Sequence, residues 1–169
     1  MDTINMKIGI LSDTHNDQGN IQKALTIFEK HQPEFLIFCG DATTVESIEW
    51  FCEYPLIYTF GNGDFATGEI KALLKAYNPS NFAGYVFNGE LGGKRIGVTH
   101  GHLMNYSDEM IKDGHFDYIF LGHTHLRMDQ RIGKTRLINP GALGGAKKQS
   151  RSVAILDLET DQLVFEMLE

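Results

Sequence analysis

The apolar residues of this chain fall into short runs separated by amphipathic stretches, and their spacing predicts the elements. Residues 7–12, KIGILS, form an apolar run suited to a buried strand. A polar loop follows, then a helix over about residues 19–30, where Ile21, Ala24, Leu25 and Phe28 recur at helical spacing and Pro33 lies just beyond the end. FLIFC, residues 35–39, reads as a second strand. TTVESIEWFCE, residues 43–53, has helical periodicity behind a threonine cap. LIYTF, residues 56–60, is a third strand, with a helix over about 69–76 after it. Strand and helix alternate through this half, which predicts a parallel sheet.

The second half changes character. YVFNGELGGKRIGVTH, residues 85–100, reads as a hairpin turning at Gly92 and Gly93 and ending in a strand over about 95–99. A helix over 107–112 leads to the strand YIFLG, residues 118–122. Then come a hairpin turning at Gly133 and Lys134 and the strands SVAILDL and QLVFEML. Tight turns between strands predict antiparallel pairing here. An α/β half followed by a β-rich half predicts two mixed sheets packed together with helices outside.

Composition narrows the class. A chain of 169 residues, 42% hydrophobic and 22% charged, fits one soluble domain with a real core, and we read residues 1–169 as a single domain. The longest apolar runs are strand-sized, which argues against a membrane span, and the N-terminus lacks the pattern of a signal peptide. Cys39 and Cys52 are the only cysteines, and they read as buried free thiols in a reducing, cytoplasmic setting. A net charge of −7 argues against a general nucleic-acid surface. Lys147, Lys148 and Arg151 read as a solvated loop, and Met104 and Tyr106 as packing.

Polar residues gather where strands end. In a parallel sheet the loops after the carboxyl ends lie along one edge, where such folds hold ligands. SDTH brings Asp13 and His15, GDA brings Asp41, and GNGD brings Asn62 and Asp64. THGH brings His100 and His102, and GHTH brings His123 and His125. Each residue alone has an ordinary reading as a cap, a turn or a surface group. Their recurrence on successive strand ends points instead to metal binding.

Imidazole nitrogen and carboxylate oxygen suit divalent Mn, Fe, Co, Ni or Zn, and the lack of thiolates argues against a structural zinc site. The donors are too many for one ion and suit two ions that share a carboxylate. Such a pair, about 3.5–4 Å apart, is a clamp for in-line displacement at phosphorus. Two aspartates and a bridging hydroxide against two divalent ions leave about +1, which attracts a phosphate.

In this order, from Asp13 to Gly141, the motifs D-x-H, G-D, G-N-x, a later His loop and G-H-x-H resemble the calcineurin-like metallophosphoesterase superfamily. The short length, INPGA at 138–142 and GHTH followed by a hairpin are similar to its small YfcE-type phosphodiesterases and to the retromer scaffold subunit that shares their fold. The resemblance implies a four-layer α/β/β/α sandwich of two mixed β-sheets flanked by helices. It implies that Asp13, His15 and His125 hold a first metal, that Asn62, His100 and His123 hold a second, and that Asp41 bridges them. The ions implied are most often Mn²⁺, with Ni²⁺, Co²⁺, Fe²⁺ or Zn²⁺ as alternatives. The reaction implied is phosphodiester hydrolysis, with monoesters as a further substrate, by in-line attack of a hydroxide bridging the metals.

One position departs from the pattern. Much of the superfamily has G-N-H, with the histidine near the leaving-group oxygen; here that residue is Gly63. A positioned acid contributes roughly 10²–10⁴-fold, so its loss predicts modest turnover or a need for good leaving groups. Asp64 or His102, acting through water, is the expected substitute, and His102 and Asn16 are candidates to touch phosphate. With no length left for a cap domain, the expected site is open and shallow, taking a small phosphodiester or phosphate substrate. Two other functions stay in view: a non-catalytic scaffold on the same fold, and a nuclease of the same superfamily. Assembly as a homo-oligomer, a dimer or a tetramer, is left open.

Overall fold

The computed structural model describes residues 6–146 and 149–169. Its first half alternates as the periodicity requires: β1 (Lys7–Leu11), α1 (Gln18–His31), β2 (Phe35–Phe38), α2 (Val45–Glu49), β3 (Leu56–Thr59) and α3 (Thr67–Tyr77). Asp17 caps α1 by accepting from the Asn20 N–H at 3.0 Å, and Thr44 caps α2 by accepting from the Ser47 N–H at 3.2 Å. The second helix is shorter than its sequence period suggests. At Phe51 the N–H bonds back only three residues, to the Ile48 carbonyl, and the chain tightens into turns.

The remaining elements are β4 (Phe82–Gly84), β5 (Val86–Leu91), β6 (Lys94–Thr99), α4 (Met104–Asp113), β7 (Tyr118–Phe120), β8 (Met128–Ile132), β9 (Thr135–Asn139), β10 (Ser152–Asp157) and β11 (Leu163–Met167). The short β4, which sequence reading does not find, spans too few residues to show a period; it extends the first sheet by pairing parallel to β3. One sheet has the order β11-β10-β1-β2-β3-β4 and the other β5-β6-β7-β9-β8. The antiparallel expectation for the second half holds for the hairpins β5–β6, β8–β9 and β10–β11, but β6, β7 and β9 run parallel. The helix α4 and the excursion through β8 each carry the chain back to the starting end, as a parallel crossover requires.

Alternating side chains define the layers. Ile8, Ile10, Ile37 and Ile57 from the first sheet meet Ile96, Val98, Phe120 and Ile138 from the second. Their neighbours Leu11, Leu36, Phe38 and Tyr58 point the other way, onto Ile21, Phe28, Ile48, Ile70 and Leu74 of α1 to α3. On the far side, Met110 of α4 and Phe116 cover Ile119 and Leu137. The result is an α/β/β/α sandwich, because each sheet has two apolar faces to bury.

Cys39 and Cys52 are buried and unbridged; burial raises both thiols, Cys52 to about 12, so neither is a ready thiolate. Met104 and Tyr106 do not pack as expected: both are exposed, Met104 at 69%. Lys147 and Lys148 lie outside the described residues, whereas Arg151 is tied down, donating to the carbonyls of Gly144 and Gly145. Among the described residues no helix is long and apolar enough to cross a membrane.

Candidate metal centre

The parallel strands β1, β2 and β3 of one sheet, and β6 and β7 of the other, deliver their carboxyl ends to the same edge of the sandwich. Backbone bonds lock the five loops that follow. The Asp13 N–H donates to the Gly40 carbonyl at 2.9 Å, His15 N–H to Asp41 at 3.0 Å, and Gly122 N–H to His100 at 3.0 Å. His123 N–H crosses between sheets to Asp13 Oδ2 at 3.0 Å.

These loops are bent sharply. Nine non-glycine residues among those described have positive φ, and seven lie here: Asp13, His15, Asn16, Asp41, Thr43, His123 and His125. Left-handed backbone is uncommon for residues with a Cβ, and it persists only where surrounding structure over-determines it. Its concentration at one edge marks a place where side-chain direction has been set at the expense of local backbone preference.

Two overlapping groups result. Asp13, His15 and His125 present donor atoms within 4.8 Å of one another, and so do Asp13, Asp41 and His100. Asp13, Asp41 and His100 are buried. Asp13 Oδ2 accepts from the Ser12 hydroxyl at 2.5 Å and from the His123 N–H, which turns Oδ1 toward the histidines. That Oδ1 is buried and makes no hydrogen bond, although His125 Nε2 stands 3.1 Å away, His15 Nε2 3.7 Å and His100 Nε2 3.8 Å. Asp41 Oδ1 accepts from the Gly63 N–H at 2.7 Å, while Oδ2 sits 3.7 Å from His15 Nε2 and 3.5 Å from His100 Nε2, between the two groups.

The histidines are oriented from behind. His100 Nδ1 donates to the Cys39 carbonyl at 2.5 Å, which leaves Nε2 as the free lone pair. It faces the Asn62 Oδ1, another acceptor, at 3.2 Å. Likewise His15 Nε2 and His125 Nε2 point at each other from 3.3 Å. Lone pairs converging on one spot, together with the orphaned Asp13 oxygen, are what a cation requires, and the N/O donor set suits a divalent transition metal.

His123 stands apart from the tight groups. It is exposed, and its ring meets that of His100 at 5.1 Å between centroids. The His102 ring lies 5.4 Å from His100 and 6.2 Å from His123, beside the second group. Asp64 faces inward. Its carboxylate accepts from the N–H groups of Asp41 (3.0 Å), Thr43 (3.0 Å) and Gly61 (2.8 Å) and from the Tyr58 hydroxyl (2.7 Å). With four donors on two oxygens it clamps the β2 and β3 loops and offers no proton, contrary to the expected acid role. Asn16 Oδ1 is likewise taken up, by Gln18, Thr44 and Ser47.

Electrostatics follow the geometry. Burial works to raise the Asp13 and Asp41 carboxyls, but the nearby imidazoles outweigh it and hold both below the ordinary range. The Asp13 carboxylate raises His15. For His100, burial is opposed and overcome by Asp41 and Asp13, so its pKa is raised too. Burial, then the charge of His100, lowers His102 and His123. The centre therefore sets two buried carboxylates against the imidazoles of His15, His125 and His100.

Several contributors escape a sequence reading. Ser12, Tyr58 and the Cys39 carbonyl act by supporting Asp13, Asp64 and His100. Asn139 donates to the Gly122 carbonyl at 2.8 Å and so braces the GHTH loop. An Asn before Pro-Gly is ordinary turn chemistry, so only the fold shows this second use.

Residues 6–161 match the calcineurin-like phosphoesterase superfamily domain. The chain is 35% identical to phosphodiesterase MJ0936 of Methanocaldococcus jannaschii over 156 residues, covering 91% of this chain and 94% of that protein. It is 30% identical to the probable metallophosphoesterase YsnB of Bacillus subtilis, covering 92% and 86%. Among solved structures, a novel archaeal phosphodiesterase superposes with a TM-score of 0.90 at 34% identity, covering 96% of this chain and all of that one. YfcE, a phosphoesterase from E. coli, shares the fold with a TM-score of 0.69 at 20% identity, covering 97% and 100%. With the family domain matched over nearly its whole length, this chain belongs to the calcineurin-like phosphoesterase superfamily.

Proposed function

We propose that this phosphoesterase is a metal-dependent phosphodiesterase with a dinuclear centre. The observation that carries the reading is the pair of donor groups that share Asp13, with Asp41 Oδ2 reaching toward His15 at 3.7 Å and His100 at 3.5 Å and a buried Asp13 oxygen that no hydrogen bond satisfies. Asp13, His15 and His125 would hold one ion, Asn62, His100 and His123 the other, and Asp41 would lie between. Bound there, the ions would supply Lewis-acid charge to the phosphoryl oxygens and lower the pKa of water to generate the nucleophile. Mn²⁺ suits the mixed imidazole, amide and carboxylate set; Cys39 contributes only its carbonyl, since its buried thiol stays protonated.

The chain's own residues do the rest. Asp64 and Tyr58 hold Asp41 in its left-handed conformation, and Ser12 and the His123 N–H fix Asp13, so the acceptors are set before any substrate arrives. His102, whose ring lies beside those of His100 and His123, would donate a ring N–H to a phosphate oxygen. Gly63 has no side chain, so departing alkoxide must take its proton from water, which favours diesters with good leaving groups. The gathering of acceptors at one edge favours catalysis over a scaffold, which has no chemical need for them.

The test is hydrolysis of bis-p-nitrophenyl phosphate by metal-stripped protein before and after Mn²⁺ is added, alongside Asp41→Asn and His123→Ala. The proposal requires activity that appears with Mn²⁺ and falls in both variants. No metal-dependent activity, or full activity in both variants, would overturn it.

A further inference from the structure

Four large apolar side chains are exposed directly after site residues: Phe65 follows Asp64, Leu103 and Met104 follow His102, and Leu126 follows His125. Exposed apolar groups scattered singly need no explanation, but these crown the edge where the donors meet. A fifth, Tyr85, joins them through space. Its ring lies 6.5 Å from that of His102, which in turn lies 5.4 Å from His100.

Tyr85 differs from the others in being held. Phe60 meets its ring at 5.3 Å and 74°, Phe60 leans on Tyr58 at 6.1 Å, and Tyr58 packs at 4.8 Å on Phe38 of the core. A chain of edge-to-face rings thus runs from the core to the rim and ends on a tyrosine that is still 49% exposed. Fixing that ring in advance lowers the entropy lost when another ring stacks on it.

Resting on the phosphodiesterase reading, we propose that Tyr85 is the stacking platform of a specificity subsite, and that the substrate is a small phosphodiester whose retained group is a planar aromatic of nucleobase type. The phosphate would sit at the His100 side while the planar group lies toward Tyr85. A net charge of −7 opposes a long polyanionic strand, which favours a single nucleoside diester over a polymer.

The test compares two diesters with the same leaving group, thymidine 5′-(p-nitrophenyl phosphate) and methyl p-nitrophenyl phosphate, on the Mn²⁺-loaded protein. Stacking of one base on an aromatic side chain corresponds to a preference for the nucleoside diester in kcat/KM of about 5- to 100-fold. Tyr85→Phe keeps that preference. Tyr85→Leu, which keeps an apolar side chain but has no ring, and Tyr85→Ala lose it, kcat/KM falling further on the nucleoside diester than on methyl p-nitrophenyl phosphate. Calorimetric binding of thymidine 5′-phosphate weakens in parallel. Preference retained in the Leu and Ala variants, or an equal loss on both diesters, overturns the subsite. Failure of the wild type to hydrolyse either diester instead removes the phosphodiesterase reading beneath it.

Discussion

Asp64 holds Asp41 by its backbone: the Asp64 carboxylate accepts from the Asp41 N–H at 3.0 Å, and three more donors complete its coordination. Because Asp41 sits at φ 56, this clamp is what keeps its Oδ2 between His15 and His100. Replacing Asp64 by Asn puts an amide N–H₂ against groups that are all donors. Supporting contacts of this kind are worth about 10- to 100-fold in metal affinity or activity. Calorimetric titration of Asp64→Asn with Mn²⁺ should show a loss of that order. Wild-type affinity would mean that Asp41 needs no such support.

Gly61 is required by space. A Cβ there would lie 2.0 Å from Asp41 Oδ1 and 2.7 Å from its backbone nitrogen, so Gly61→Ala must displace Asp41 itself. Overpacking of this kind costs about 1–3 kcal/mol, and Mn²⁺ binding should fall with it. Gly68, in the first turn of α3, has nothing within 4 Å of an added Cβ. Gly68→Ala should stabilise by about 0.4–1 kcal/mol and leave activity unchanged. Urea denaturation of the two variants checks both outcomes.

Under the proposed mechanism, Gly63 leaves the leaving group without a side-chain acid. Here an added Cβ would meet Asp41 Oδ1 and Thr43 Cγ2 at 3.2 Å, outside the left-handed region, so a side chain fits once both the threonine methyl and the Asp41 carboxylate give slightly. Activity of the wild type should fall steeply as leaving-group pKa rises across a series of aryl and alkyl diesters. Gly63→His should flatten that dependence, raising alkyl-diester turnover by up to about 10²-fold. Parallel slopes would show that position 63 does not reach the leaving oxygen.

A second charged cluster, away from the edge, sets an acid-dependent term in stability. Arg136 donates to both carboxylate oxygens of Asp129 at 2.8 Å and to Asp161 at 2.7 Å. The Arg136 guanidinium lowers the Asp129 pKa. Burial would raise Asp161, but the Tyr118 hydroxyl and Arg136 outweigh it and lower that one too. Carboxyls with depressed folded pKa stabilise the fold above their unfolded value of about 3.9 and lose that contribution as pH falls through the folded values. The Tm difference between wild type and Arg136→Leu should therefore be constant from neutral pH to about 5 and shrink below about 4. A difference independent of pH would assign it to packing alone. Both carboxylates are more than a third exposed, so the effect is small and sensitive to salt.

How much of this was legible in the residues depends on where the information lies. Strands β1 to β3 and helices α1 and α3 announce themselves because their apolar periods are local. The direction of β6, β7 and β9 does not, since the tight turns after β5 and β8 suggest hairpins while crossovers decide the pairing. At the edge, Asp13, His15, Asp41, His100 and His125 stand out in the sequence because metal chemistry restricts residue type, and the fold brings their donor atoms together in two groups that share Asp13. Asp64 was misread for the same reason: a carboxylate beside a metal motif looks chemical, and only the positions of the Asp41, Thr43 and Gly61 N–H groups show that it is consumed. Tyr85 carried no signal at all, being brought to His102 by β4 and the ring of Phe60.

The central claim is that two ions, sharing Asp41, make this edge work. Elemental analysis of metal-stripped protein re-equilibrated with Mn²⁺, with bis-p-nitrophenyl phosphate hydrolysis followed on the same samples, tests it most directly. The account predicts two ions per chain and activity that rises with the second, both lost in Asp41→Asn. Full activity at one ion per chain, or none bound while activity persists, would contradict it.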